Sequence, residues 1–146
     1  MKLKDFKEKP CEDYYNFLLE NYGLDGDFDP IEVIKILNGS AYDVSLLMVK
    51  CPEYRTKEVF EYFKSLNPSA DDVRLLMEKC PEYRTKEVFE LFKSLNPDAY
   101  DVRLLIRNCP DYRTKEVFEL FKSLKPSVFN VSWLMRNFPE LKGFNN

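Results

Sequence analysis

The sequence predicts an all-α protein, a right-handed α-solenoid of about four 29-residue two-helix repeats behind an N-terminal capping helix. Three observations carry this. Residues 51–79, 80–108 and 109–137 align without a gap, and neighbouring copies match at 23 and 20 of 29 positions. Within each copy the apolar residues recur at helical spacing. The chain of 146 residues holds only 4 Gly, too few for an all-β domain full of tight turns. Its length and hydrophobic content of 45% fit one ordered structural domain.

Residues 1–29 read as a helix and an acidic link. Glu12 to Tyr22 places Tyr14, Phe17 and Leu18 on one side, with Gly23 as C-terminal cap, and is expected to cover the first repeat. The run Asp25-Gly26-Asp27-Phe28-Asp29 alternates carboxylates, but a calcium loop needs Gly at Pro30 and Glu at Ile36. The simpler reading makes Asp29 an N-cap, Pro30 a first-turn proline and Glu32 its capping-box partner.

The array spans 30–137 and opens on a divergent copy, 30–50, in which Ile34, Asn38, Ser40 and Val44 stand in register with Phe63, Asn67, Ser69 and Val73. In 51–79, Thr56 caps a first helix that ends before Asn67-Pro68. Val59, Phe60, Tyr62, Phe63 and Leu66 share one arc of that helix, opposite Lys57, Glu61 and Lys64. Ser69 and Asp72 form a capping box that starts the second helix, repeated as Ser40 and Asp43, Asp98 and Asp101, Ser127 and Asn130. Val73, Leu76, Met77 and Cys80 make its inner stripe, and Pro81 stops it. Residues 138–146 are a truncated repeat start and a tail. The two-helix units resemble the tetratricopeptide and HEAT class of architecture, which implies that each unit buries its apolar side only against its neighbours; the Y-R-T-K-E-V-F motif at this pitch points to no particular family.

Composition narrows the function. With His at 0, Ser-His and Cys-His nucleophile pairs are excluded, and with them the commonest zinc ligand. Cys11, Cys51, Cys80 and Cys109 suggest neither zinc nor a disulfide. Equivalent positions in stacked repeats lie roughly 10 Å apart, beyond either geometry. Glu58 and Glu61 with their copies read as a solvated face rather than an acid-base pair. No catalysis, metal or cofactor is expected. MKLKDFKEKP at the start carries no apolar stretch, which predicts a cytoplasmic chain with no membrane partner.

Two surfaces remain. The first is a ladder, Arg55, Arg84 and Arg113 with Lys57, Lys86 and Lys115, interleaved with Tyr54, Tyr83 and Tyr112, which would suit a phosphate backbone. Glu53 and Glu58 and their copies nearly neutralise it, and the net charge is −3. The second is where the copies differ: five of six and eight of nine changes fall on the second helix or its approach. The outward positions there are Tyr42, Leu46 and Val49; Asp71, Leu75 and Glu78; Tyr100, Leu104 and Arg107, with Arg103; and Phe129, Trp133 and Arg136. Leu75 and Leu104 fit packing between units, whereas the others mix aromatic, Arg and acidic groups as protein interfaces do. The expected function is therefore a non-catalytic adaptor or inhibitor that binds a protein partner, with nucleic-acid binding through the ladder as the alternative. Phe129 and Trp133 leave two outcomes open: the tail folds over them, or they present a patch to a partner or a second copy. Charge is uneven, −4 over residues 1–50 and +2 over 109–137.

Overall fold

The computed structural model describes residues 1–144 and is all-helical. Among those residues the only β pairing is an isolated bridge between Lys2 and Asp27. Among the described residues nine α-helices follow in order: α1 Glu12–Tyr22, α2 Pro30–Ile36, α3 Ala41–Lys50, α4 Lys57–Ser65, α5 Ala70–Lys79, α6 Lys86–Ser94, α7 Ala99–Asn108, α8 Lys115–Ser123 and α9 Val128–Asn137. Among the described residues no helix is long and apolar enough to cross a membrane. The last two residues of the tail lie outside the described residues. The chain divides into two units, Met1–Leu66 and Asn67–Asn146.

In the first unit, α1 lays Leu18 against Leu3, Phe28 and Val33, with Tyr14, Phe17 and Leu37 around them. Phe28 sits between Phe6 and Tyr22, ring centroids 6.1 and 5.6 Å away. The acidic link has partners inside the chain. Asp25 pairs with Lys4 at 2.5 Å, Asp27 lies 3.9 Å from the terminal ammonium, and Asp29 accepts from the Ile31 amide at 2.9 Å as the cap of α2. Glu32 does not close a box with it. Its carboxylate turns to Lys35 at 3.3 Å, because Asp29 bonds the second amide of the helix rather than the third. The first unit continues through α3, which packs on α2 and α4.

Helix ends explain the rest of the repeat. Ser40, Ser69 and Asp98 each make a two-way capping box with Asp43, Asp72 and Asp101. At α9 the expected fourth box is only half built: Ser127 accepts from the Asn130 amide, while the Asn130 side chain accepts from Arg103 at 3.4 Å. The first helices end in a left-handed residue, φ +52 to +54° at Asn38, Asn67, Asn96 and Lys125. Asn tolerates that conformation, and the buried Pro68 and Pro97 then prevent the helix from continuing. After α2 the next residue is Gly39, whose amide returns to Ile34 at 2.8 Å; a Cβ there would collide with the Tyr14 hydroxyl and an Ile34 methyl.

Between the second helix of one copy and the first helix of the next, sequence reasoning missed a 3-10 turn, at Pro52–Tyr54, Pro81–Tyr83 and Pro110–Tyr112. Proline starts each turn because its missing N–H is not needed there. Cys51, Cys80, Cys109 and, in the tail, Phe138 all end the preceding helix by donating to the residue four back. The truncated start therefore begins as the full copies do, with Leu141 fully buried where Tyr112 stood one period before, and its 3-10 turn then runs on to Phe144.

In the second unit α5 packs on α6 and α7, α7 on α8 and α9, and the turn at Pro139–Phe144 on α8 and α9. The expected inner stripe is its core: Val73, Leu76, Met77 and Cys80 have no exposed surface, nor do Val102, Leu105, Ile106 and Cys109. Phe92 and Phe121 fill the first-helix side, also without exposure. Burying each such side chain contributes roughly 1.5–3 kcal/mol, and truncating one to Ala costs about 3–5 kcal/mol because a void remains. Helices of nine and ten residues are too short to stand alone, so this packing is what holds them.

Candidate functional site

The ladder arginines are committed to the fold. Arg55 donates from Nε to the Met48 carbonyl at 2.7 Å and from Nη2 to that of Val49 at 3.0 Å. Arg84 does the same to Met77 and Glu78, at 2.7 and 2.9 Å, and Arg113 to Ile106 and Arg107, both at 3.0 Å. Each guanidinium satisfies the orphan carbonyls at the end of a second helix, which the 3-10 turn makes reachable. Within the second unit the same groups also bridge copies, Arg84 to Asp111 at 3.2 Å and Arg113 to Glu140 at 3.9 Å. Tyr112 is buried and stacks on Phe89 at 5.7 Å, a wedge between copies, and burial pushes its hydroxyl pKa up to about 12. Lys57, Lys86 and Lys115 stay exposed. The clefts beside the first helices, of about 300 and 510 Å³, are lined by both signs of charge, Lys35 with Glu58 in one and Arg84 with Glu116 in the other.

Of the outward residues on the second helices, Tyr42 and Leu46 belong to the first unit, exposed and half-buried respectively. Those of the second unit behave differently from copy to copy. On α5, Arg74 is held by Asp71 three residues before it and by Glu78 four after, the latter at 2.8 Å. Glu78 was expected to face a partner, but its side chain is only 6% exposed because it is folded onto Arg74. Burial alone would lower the Arg74 pKa; the bonds to Asp71 and Glu78 outweigh it and raise it.

One copy later the equivalent arginine is Arg103, and the equivalents of Asp71 and Glu78 are Tyr100 and Arg107. Both internal carboxylates are gone. The Arg103 guanidinium carbon lies 5.3 Å over the Tyr100 ring and 5.5 Å over Trp133 of α9, with Arg107 at 5.9 Å from the same indole. Its Nη1 reaches the Asn130 amide oxygen at 3.4 Å, and its Nε is buried with no hydrogen-bond partner among the described residues. Trp133 also makes an edge contact to Phe138, centroids 6.3 Å apart, and Arg113 lies 3.9 Å over that Phe138 ring. Phe138 thus packs on a half-buried Trp133, while Phe129 stays 68% exposed. Tyr100 and Phe129 stand at the same register, one copy apart, and both are exposed; Arg136 is exposed near the end of α9.

The structure therefore brings together Tyr100, Arg103, Arg107 and Trp133, flanked by Phe129, and removes Glu78 from the surface. Asn130 is the member that sequence reasoning missed. Its signal was present: the box position is Asp in 30–50, 51–79 and 80–108, and Asn only in 109–137. Among the described residues no group of three or more His, Cys, Asp or Glu side chains draws together as a metal site would need. No family model matches the chain, nor does any curated protein or solved structure.

Proposed function

We propose that this protein is a non-catalytic adaptor or inhibitor, an α-solenoid of two-helix repeats that binds a protein partner in the cytoplasm through the variable face of its second helices. The observation that carries the reading is the cluster of Tyr100, Arg103, Arg107 and Trp133 beside exposed Phe129. Tyr, Trp and Arg are the side chains that dominate binding energy at protein interfaces, and here they sit on a frame whose first helices barely change between copies. The ladder is a weaker basis for nucleic-acid binding, since its arginines are occupied by helix carbonyls and acidic groups and only its lysines remain to meet phosphates.

A pull-down from source lysate with and without nuclease separates the two. Tyr100→Ala with Phe129→Ala removes two exposed rings at no cost to the core, and Lys86→Ala with Lys115→Ala removes exposed ladder charges. The expected result is nuclease-resistant capture of a protein that the aromatic pair abolishes and the lysine pair leaves intact. Capture that nuclease removes and that follows the lysines would overturn the reading.

A further inference from the structure

Arg74 shows what an arginine at this register takes up when the chain supplies it: two carboxylates, one from three residues before and one from four after. At Arg103 the same backbone offers a phenol and a second guanidinium instead. The remaining internal partner is a neutral amide at 3.4 Å, too long for a strong bond, and the Nε proton is buried and unused. Two cations are thereby held within 6 Å of one indole, which tolerates them but does not neutralise them.

We propose that this cluster is a docking site for an acidic segment of another protein, whose Asp or Glu carboxylates pair with Arg103 and Arg107 as Asp71 and Glu78 pair with Arg74 on α5, while its apolar side chains lie on Tyr100 and Phe129. This rests on the protein-binding reading and names its partner's chemistry. Carboxylates suit the site because guanidinium groups bind them with paired, charge-assisted hydrogen bonds. Charge complementarity favours the same class: the two copies that build the site, 80–108 and 109–137, together carry +2 in a chain of net −3.

Trp133 is the single tryptophan of the chain and reports directly. The full chain is titrated, following Trp133 emission, with a synthetic peptide of about a dozen alternating Glu and Leu residues, with its Gln and Leu counterpart, with inorganic phosphate, and with a thymidine oligonucleotide of similar length. The acidic peptide is expected to give a saturable change. Affinity should fall by at least about tenfold for the Gln peptide and for Arg103→Gln or Arg107→Gln. The sharper variant is Asn130→Asp. It completes the half-built capping box and places a carboxylate on Arg103, so the fold should hold or gain stability while peptide affinity falls. Lys86→Ala with Lys115→Ala should change nothing.

No saturable response to the acidic peptide, an equal response to the Gln peptide, tighter binding of phosphate or oligonucleotide, or indifference to Asn130→Asp each overturns the proposal. So does a dimer that dissociates on Arg103→Gln, which would make a second copy the occupant. Failure of the peptide titration with nuclease-resistant capture intact overturns the acidic occupant alone; peptide binding with no captured protein overturns the adaptor reading instead.

Discussion

Arg84 reaches back seven residues to donate from Nε to the Met77 carbonyl at 2.7 Å, and its Nη1 extends forward to Asp111 of the next copy at 3.2 Å. One planar group thus caps a helix and joins two copies. Lysine has the charge but a single nitrogen, so it cannot reproduce the fork. Arg84→Lys is expected to cost about 1–2 kcal/mol and Arg84→Ala about 2–3 kcal/mol, since two buried-end carbonyls lose a charged donor. Urea denaturation checks this; Lys86→Ala, at an exposed neighbour, should stay within about 0.5 kcal/mol.

Lys125 adopts φ +54° where the other copies have Asn38, Asn67 and Asn96. A side chain with no local hydrogen bond to offer pays for the left-handed conformation, so Lys125→Asn should stabilise the protein by roughly 0.5–1 kcal/mol. The reverse change, Asn96→Lys, should destabilise by a similar amount. Thermal melts of the two variants against the parent test the sign.

Asp101 is the box partner of Asp98, so two carboxylates share one helix start where Ser69 and Asp72 place only one. Burial first, and the Asp98 charge with it, raise the Asp101 pKa. The folded chain then holds this proton more tightly than the unfolded chain, so the contribution of Asp101 to stability declines as pH rises out of the ordinary carboxylate range. Asp98→Ser keeps the cap and removes the second charge. From pH 3 to pH 7 the urea midpoint of the variant should rise relative to that of the parent.

The Tyr112 hydroxyl is buried without a hydrogen-bond partner among the described residues. Its pKa of about 12, raised by burial, means that the unfolded chain loses this proton first as pH climbs past the usual tyrosine value of about 10. Stability therefore drops between those two values on its account. Tyr112→Phe should add roughly 1 kcal/mol at neutral pH by removing an unpaired polar group, and should flatten the alkaline decline. Alkaline melts of the variant and the parent provide the comparison.

Much of this was legible in one dimension. The gapless period, the Ser-x-x-Asp boxes, the Thr caps and the stripe through Val73, Leu76, Met77 and Cys80 are local patterns, and local hydrogen bonding and side-chain periodicity are enough to determine them. They set helix boundaries and buried faces, Cys80 and Cys109 among them. The face on which the copies differ was visible for the same reason, as a comparison of aligned strings.

Which side chains on that face remain to meet a partner was decided only in three dimensions. Arg55, Arg84 and Arg113 looked like a free ladder because the 3-10 turn that folds them back onto helix carbonyls is too short to leave a periodic signal. Glu78 looked exposed until its ion pair with Arg74 formed. Arg103 became the centre of the site only when α7 and α9 lay side by side, bringing Trp133 and Asn130 to it. Sequence determined the repeating unit because its causes lie within a few residues; tertiary structure decided the site because a charge is satisfied by whatever the neighbouring copy places beside it.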